Sequence, residues 1–199
     1  CGVRRVDALL YTHAHSDHVC GLDDVRRFCE IQRQTIPVYA AATTLRALSR
    51  SFAYIHRTPR PGLSYPRVDF RPAARPFRIG RICVTPLPVE HAGIVTQGYR
   101  VAAGGAYLPD CHTLPAATMQ RLKHLDVLIL DALRRTPHPT HLSLDECVSI
   151  MRRLRPRRGY ITHMGHDLEY TRTQRSLPSG MHVPWDGLTL RLKPVTVKK

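Results

Sequence analysis

Three imidazoles and a carboxylate fall within six residues, His13-x-His15-x-Asp17-His18, and no other segment constrains the chain so strongly. The run follows an apolar segment at residues 6–11 that reads as a buried strand stopping at Thr12. An extended strand end followed by a tight turn can aim such side chains at one point. A helix would instead place His13 and His15 on different faces. Imidazole with carboxylate suits zinc, iron or manganese, and the lack of a thiolate argues against a structural zinc finger. A lone histidine is ordinarily a satisfied core or surface residue; a packed run of this kind is a metal-binding signal.

Four ligands or fewer do not complete a two-metal site, so further ligands are expected at other strand ends. His91 follows a strand at residues 84–89, Asp110 follows Tyr107-Leu108, and His163 follows a strand at 159–161. Residues placed where a strand gives way to a loop are how one edge of a sheet collects groups from distant sequence.

The remaining pattern predicts a layered α/β domain over residues 1–199, without internal repeats or linkers. Apolar periodicity gives helices at 21–32 and 43–54, and an amphipathic helix at 144–154 with Ser143 as N-cap and Glu146 completing a capping box. Strands are expected at 36–40, 81–86, 98–103, 106–108, 126–131, 159–162 and through Leu188, Leu190 and Leu192. Gly104-Gly105 and Asp186-Gly187 mark turns, and the Pro- and Arg-rich stretch at 58–76 reads as a surface loop.

Composition narrows the class. Hydrophobic residues at 43% and charged residues at 23% exclude disordered, collagen-like and coiled-coil chains. No apolar run approaches the ~18 residues of a membrane helix. Six cysteines without a CxxC pair argue against a disulfide scaffold and for a reducing, cytoplasmic setting. Cys20 and Cys111, beside candidate ligands, read as small packing residues. The formal charge of +15, from 26 Arg and 4 Lys against 15 acids, admits attraction to phosphate or nucleic acid. The arginines are scattered without interleaved aromatics, so the charge reads better as compositional bias.

The run at 13–18, with His91, Asp110 and His163 after it, resembles the metallo-β-lactamase-fold hydrolase superfamily. Within it, the likeness is to the phosphodiesterase branch that includes the phosphonate-pathway cyclic phosphodiesterase and, further off, the tRNA 3′-processing endonucleases. Gly98-Tyr99-Arg100, Leu130-Asp131-Ala132-Leu133-Arg134, His138-Pro139-Thr140-His141 and Trp185-Asp186-Gly187 extend the resemblance over nearly the whole chain. It implies a four-layer αββα sandwich with a dinuclear site for two divalent ions, zinc or manganese with iron as a further candidate. By motif position His13, His15 and His91 bind the first ion, Asp17, His18 and His163 the second, and Asp110 bridges them. A metal-bound hydroxide then attacks phosphorus, and Asp17 both ligates and orients it. The resemblance gives His141 the general-acid role, with His138 as its rival. His166 matches the spacing of an extra structural-zinc ligand, but the cysteines that would complete that site are absent, which leaves a hydrogen-bonding role.

The superfamily fold begins with several strands and a Gly-rich hairpin ahead of the HxHxDH strand, whereas the chain starts only about ten residues ahead of that motif. The fold is therefore expected to lack its N-terminal strands here. Either the natural chain starts earlier or another copy, as in a homodimer, covers the open edge. The function expected is hydrolysis of a small or cyclic anionic phosphodiester, with no membrane partner. Three alternatives compete with it: an RNA-processing nuclease binding nucleic acid, a lactone, ester or thioester hydrolase, and a degenerate metal-binding interaction protein. The last is disfavoured because every ligand position is occupied.

Overall fold

Parallel pairing organises the first stretch of chain. β1 (Leu9–Leu10) lies beside β2 (Ile36–Ala40) in the register Leu9↔Val38, and β3 (Val68–Pro72) pairs along the other side of β2 from Ile36↔Val68 to Ala40↔Pro72. The computed structural model describes residues 2–58 and 62–192. They divide into two units, Cys1–Ile79 and Gly80–Lys199, each with its own apolar core.

In the first unit, the helices α1 (Ser16–Val19), α2 (Val25–Gln32) and α3 (Ala42–Ser51) bury Val19, Val25, Cys29, Leu45 and Leu48 against Ile36, Val38 and Ala40 of β2. The expected strand at 6–11 shrinks to two residues, because Gln32 at the end of α2 binds both backbone groups of Val6. Both helices expected in this unit meet a tighter turn: Cys20–Leu22 precedes α2 and Ala53–His56 follows α3 as 3-10 turns. Part of the segment read as a surface loop forms β3, whose ladder partners all lie in β2, so tertiary pairing overrides local composition. Residues 59–61 of that segment lie outside the described residues. β4 (Phe77–Ile79) closes the unit, with Phe77 stacked on Tyr39 at 4.1 Å between ring centroids.

The second unit holds β5 (Ile82–His91), β6 (Ile94–Val101), β7 (Gly105–Leu108), β8 (Val127–Asp131), β9 (Arg158–Thr162) and β10 (Met181–His182), in the spatial order β10-β9-β8-β7-β6-β5. β6 runs antiparallel to both β5 and β7, and β7, β8 and β9 are parallel. The C-terminal ends of β5, β7, β8 and β9 therefore lie along one edge of the sheet.

β5 joins the expected strands at 81–86 and 84–89 into one that carries through Pro86 and Pro88 to His91. Ala102 N donates to Cys83 O, which makes Val84↔Val101 a non-hydrogen-bonded pair. Pro86 and Pro88 share that parity, so neither removes a ladder bond to β6, and the strand carries through to His91. On its other side, Thr118 Oγ1 of α4 (Ala116–Arg121) donates to Pro88 O at 2.6 Å.

α5 (Leu144–Leu154) forms as expected. Glu146 N donates to Ser143 Oγ at 3.3 Å, and Ser143 N and Oγ donate to Glu146 Oε2 at 2.8 and 2.6 Å. These bonds hold the Glu146 carboxyl below its ordinary range, the Ser143 hydroxyl contributing most. A depressed folded-state value means stability that is present above the unfolded value and lost as pH falls through the folded one. Ser143→Ala should therefore cost about 1 kcal/mol near neutral pH, with the difference from wild type shrinking in urea melts toward about pH 3. An equal cost at both pH values would show that the carboxylate takes no part.

α4 and α6 (Tyr170–Ser176) are short helices the periodicity did not reveal. The turn at Asp186-Gly187 is present, with Leu188 N donating to Trp185 O at 3.0 Å. The strand expected after it does not form: Arg191 O accepts from the Arg158 guanidinium, and the Leu192 side chain packs over Gly105. No helix among the described residues is long and apolar enough to cross a membrane.

Candidate metal centre

In the first unit, the chain leaves β1 and stays extended to His15, which occupies the N-cap position of α1 at φ −65° and ψ 147°. His18 N donates to His15 O at 3.0 Å, the tight turn that carries Asp17 and His18. The His13 ring is buried, 4.4 Å from His15 and 4.3 Å from His18 between centroids. Thr12 Oγ1 lies 3.0 Å from His13 Nδ1, and His18 Nε2 stands 3.2 Å from Asp17 Oδ2. The four residues of the run thus gather at one place, as a strand end and tight turn predict.

In the second unit, the strand ends supply the other candidates along the shared edge. His91 is the last residue of β5, and the Ala92-Gly93 turn behind it has positive φ at both positions, 50° and 74°. Its Nδ1 bonds to the Thr140 carbonyl at 2.9 Å. A carbonyl only accepts, so Nδ1 carries the proton and Nε2 is the nitrogen that could bind a metal. That Nε2 is 3.7 Å from Asp110 Oδ2. Asp110 follows β7, and its loop is tied to β5 by His112 N donating to Glu90 O at 2.7 Å. His163 is the first residue beyond β9, with Nε2 3.4 Å from Asp110 Oδ2. It sits at φ 60°, a left-handed conformation costly for a side-chain-bearing residue and concentrated at functional sites.

The donor chemistry fits a divalent ion. Two ligands on one tetrahedral zinc, with bonds of ~2.0–2.1 Å, stand ~3.3 Å apart, close to the 3.4 and 3.7 Å that separate the Asp110 oxygen from its two imidazole nitrogens. Carboxylate and imidazole without thiolate match zinc, manganese or iron.

His141 joins this edge. Its ring stacks on His163 at 4.7 Å and meets His91 at 4.6 Å, and one donor atom each of Asp110, His141 and His163 lie within 4.8 Å of one another. Its Nδ1 lies 2.9 Å from Oδ2 of Asp131, the last residue of β8, whose side chain is wholly buried. The same oxygen accepts from Cys111 N at 3.0 Å and Leu142 N at 3.4 Å. Burial favours the neutral form of each partner, raising the Asp131 carboxyl and lowering the His141 imidazole, which the neighbouring His163 lowers further. Nδ1 and Oδ2 are thus hydrogen-bonded partners whose neutral forms burial favours.

Asp131 is the residue of this edge that sequence reasoning missed as a site candidate. Its signal was its position, a carboxylate ending an apolar strand parallel to those that end near Asp110 and His163. His112, read as an ordinary residue, bonds through Nδ1 to the His141 carbonyl at 3.2 Å and so helps fix that loop. His138 stands 5.3 Å from the His141 ring and is held by Thr140. His166 is exposed and its ring joins none of these contacts. Cys111 is buried, as a packing residue should be, whereas Cys20 is exposed and does not pack as expected. Burial pushes the Cys111 thiol well above its usual range, which keeps it protonated beside the site.

A family model described as the Beta-lactamase superfamily domain matches residues 2–164. Among solved structures, one described as a new diphosphatase from the PhnP family is 39% identical with a TM-score of 0.86, over 94% of this chain and 71% of that one. Zinc-bound PqqB from Methylobacterium extorquens is 22% identical with a TM-score of 0.76, over 96% of this chain and 75% of that one. The short form of human tRNase Z is 16% identical with a TM-score of 0.65, over 94% and 79%. At the last two identities the likeness is one of fold. Among curated proteins, an octanoyltransferase from Porphyromonas gingivalis (strain ATCC BAA-308 / W83) is 28% identical over 190 residues. The match covers 94% of this chain but only 38% of that relative's length.

Proposed function

The chain belongs to the β-lactamase superfamily, and from that membership we propose that it is a divalent-metal-dependent phosphoric diester hydrolase acting on a small or cyclic anionic phosphodiester. The coarser statement stands without proposal: the fold is that of the metallo-β-lactamase hydrolases. The observation that carries the finer reading is the buried Asp131–His141 pair beside Asp110 and His163. Scission of a phosphodiester expels an alkoxide that needs a proton, whereas a thioester expels a thiolate whose conjugate acid has a pKa of ~8.5 and leaves with little help. The 39% identity to a structure described as a diphosphatase supports phosphorus as the centre attacked.

In this reading His13, His15 and His91 would hold one ion, Asp17, His18 and His163 the other, and Asp110 would serve both. The ions, when bound, neutralise charge growing on the phosphoryl oxygens and make water nucleophilic near neutral pH. Asp17 orients the attacking water as well as binding. His141 gives its Nε2 proton to the leaving oxygen. Asp131, hydrogen-bonded to Nδ1, then yields a proton to it, which leaves a neutral imidazole hydrogen-bonded to a carboxylate. His91 is held in its ligating tautomer by the Thr140 carbonyl. The cytoplasm fits the cysteines, none of which forms a disulfide among the described residues.

A substrate panel on zinc- and manganese-loaded protein tests the assignment. Bis-p-nitrophenyl phosphate should be hydrolysed with kcat/KM at least about 100-fold above lactones and thioesters, a gap of ~2.7 kcal/mol in transition-state stabilisation. A thioester or lactone turned over faster than any phosphodiester would move the protein to acyl chemistry.

A further inference from the structure

Much of the positive charge lies outside the candidate metal centre. Within the second unit, a depression of about 600 Å³ is lined by Lys123 and His124 after α4, and by Ser149, Arg152, Arg153 and Arg155 at the end of α5. No carboxylate lines it. Asp126, three residues beyond Lys123, is buried and bound by Arg157 and Arg158, so it does not offset the four cations. Lys123, Arg152, Arg153 and Arg155 have no ion-pair partner among the described residues, in contrast to Arg26, Arg27 and Arg71, which pair with nearby acids.

The depression also lies at the wrong edge to belong to the catalytic machinery. Lys123 and His124 precede β8, and Arg155 precedes β9, so all three stand at the N-terminal ends of these parallel strands. Asp131 and His163 stand at the C-terminal ends, ~16 Å away along five residues at 3.3 Å each. Cations at the end of α5 gain from the helix dipole, but that does not explain Lys123 and His124, which come from a different element.

We propose that this basic depression is a docking surface for a nucleic-acid strand, gripped through its phosphate backbone. The chemistry favours that occupant. The cations are exposed and spread over two elements, as sequence-independent backbone contacts are. Three of them are arginines, whose guanidinium forks match phosphate oxygens. Leu154, the apolar residue of the lining, is buried, so nothing there would enter a lipid surface. The inference does not rest on the hydrolase reading.

The test is fluorescence anisotropy with labelled single-stranded RNA and DNA of about 20 nucleotides across a salt series. The variant K123A/R152A/R153A leaves Arg155, at φ 50°, untouched. It should bind at least about tenfold more weakly, and its slope of log affinity against log salt should be shallower by about 2, at ~0.7 per lost phosphate contact. A control, R46A/R50A/R172A, removes the same charge from exposed arginines on α3 and α6 and should change binding less than about twofold. Circular dichroism melts confirm that both variants fold. Binding of either polymer in this pattern supports the proposal, and the tighter one names the natural strand. Equal losses in the two variants would mean diffuse charge and overturn it. So would polyglutamate competing as well as RNA, which would mark an acidic-protein surface.

Discussion

His141→Ala should lower kcat on a phosphodiester with an alkyl leaving group by about 10²–10⁴-fold, while metal content per chain stays at the wild-type value. The two readouts separate roles that geometry alone leaves adjacent, because His141 shares close quarters with Asp110 and His163. A ligand lost would carry metal away with it. An acid lost would leave the metals in place and slow only the step in which the leaving oxygen takes a proton. The penalty should shrink with p-nitrophenol as leaving group, since that oxygen departs with little need of protonation. Asp131→Asn acts through His141 as a positioning change: the amide still bonds to Nδ1 but has no carboxyl proton to yield to it. It should lower kcat on the alkyl diester with KM nearly unchanged, and steepen the dependence of rate on leaving-group pKa. Equal losses on both leaving groups would remove His141 from proton transfer.

Asp110→Asn should have the largest effect of any single change at the site. The carboxylate is almost wholly buried, and its Oδ2 faces Nε2 of both His91 and His163. An amide keeps the shape but removes the negative charge that, in the proposed reading, would serve two dications. Turnover should fall by at least about 10³-fold, and bound metal should drop in plasma emission analysis. Retained activity with full metal content would show that Asp110 is no bridging ligand. A drop in thermal stability accompanied by metal loss in Asp110→Asn, but not in His141→Ala, would distinguish the ligand from the acid by a second route.

What could be read from the sequence was the local part. The run from His13 to His18 declares itself because its ligands lie within one turn of chain, and the Ser143–Glu146 capping box because both its partners are three residues apart. His91, Asp110 and His163 were legible because strand ends are visible as apolar runs, and parallel strands bring those ends to one edge. Asp131 was hidden for the opposite reason. Its carboxylate looks like the polar boundary of a strand until the fold folds His141 back onto it across ten residues. β3 was hidden because only its pairing with β2 makes a strand of a Pro- and Arg-rich segment. The length of β5 was hidden because whether a proline breaks a ladder depends on parity, which appears only once a partner strand is in register. The left-handed backbone of His163 had no sequence signal at all.

The central claim is that this chain's histidines and aspartates hold two divalent ions that its hydrolysis requires. The direct measurement is metal content per chain after loading with zinc or manganese and removal of excess, alongside turnover of bis-p-nitrophenyl phosphate before and after chelation. Two ions per chain, activity lost on chelation and restored by added metal, is the result the account predicts. Well under one ion per chain in the loaded protein, or turnover that survives complete chelation, would contradict it.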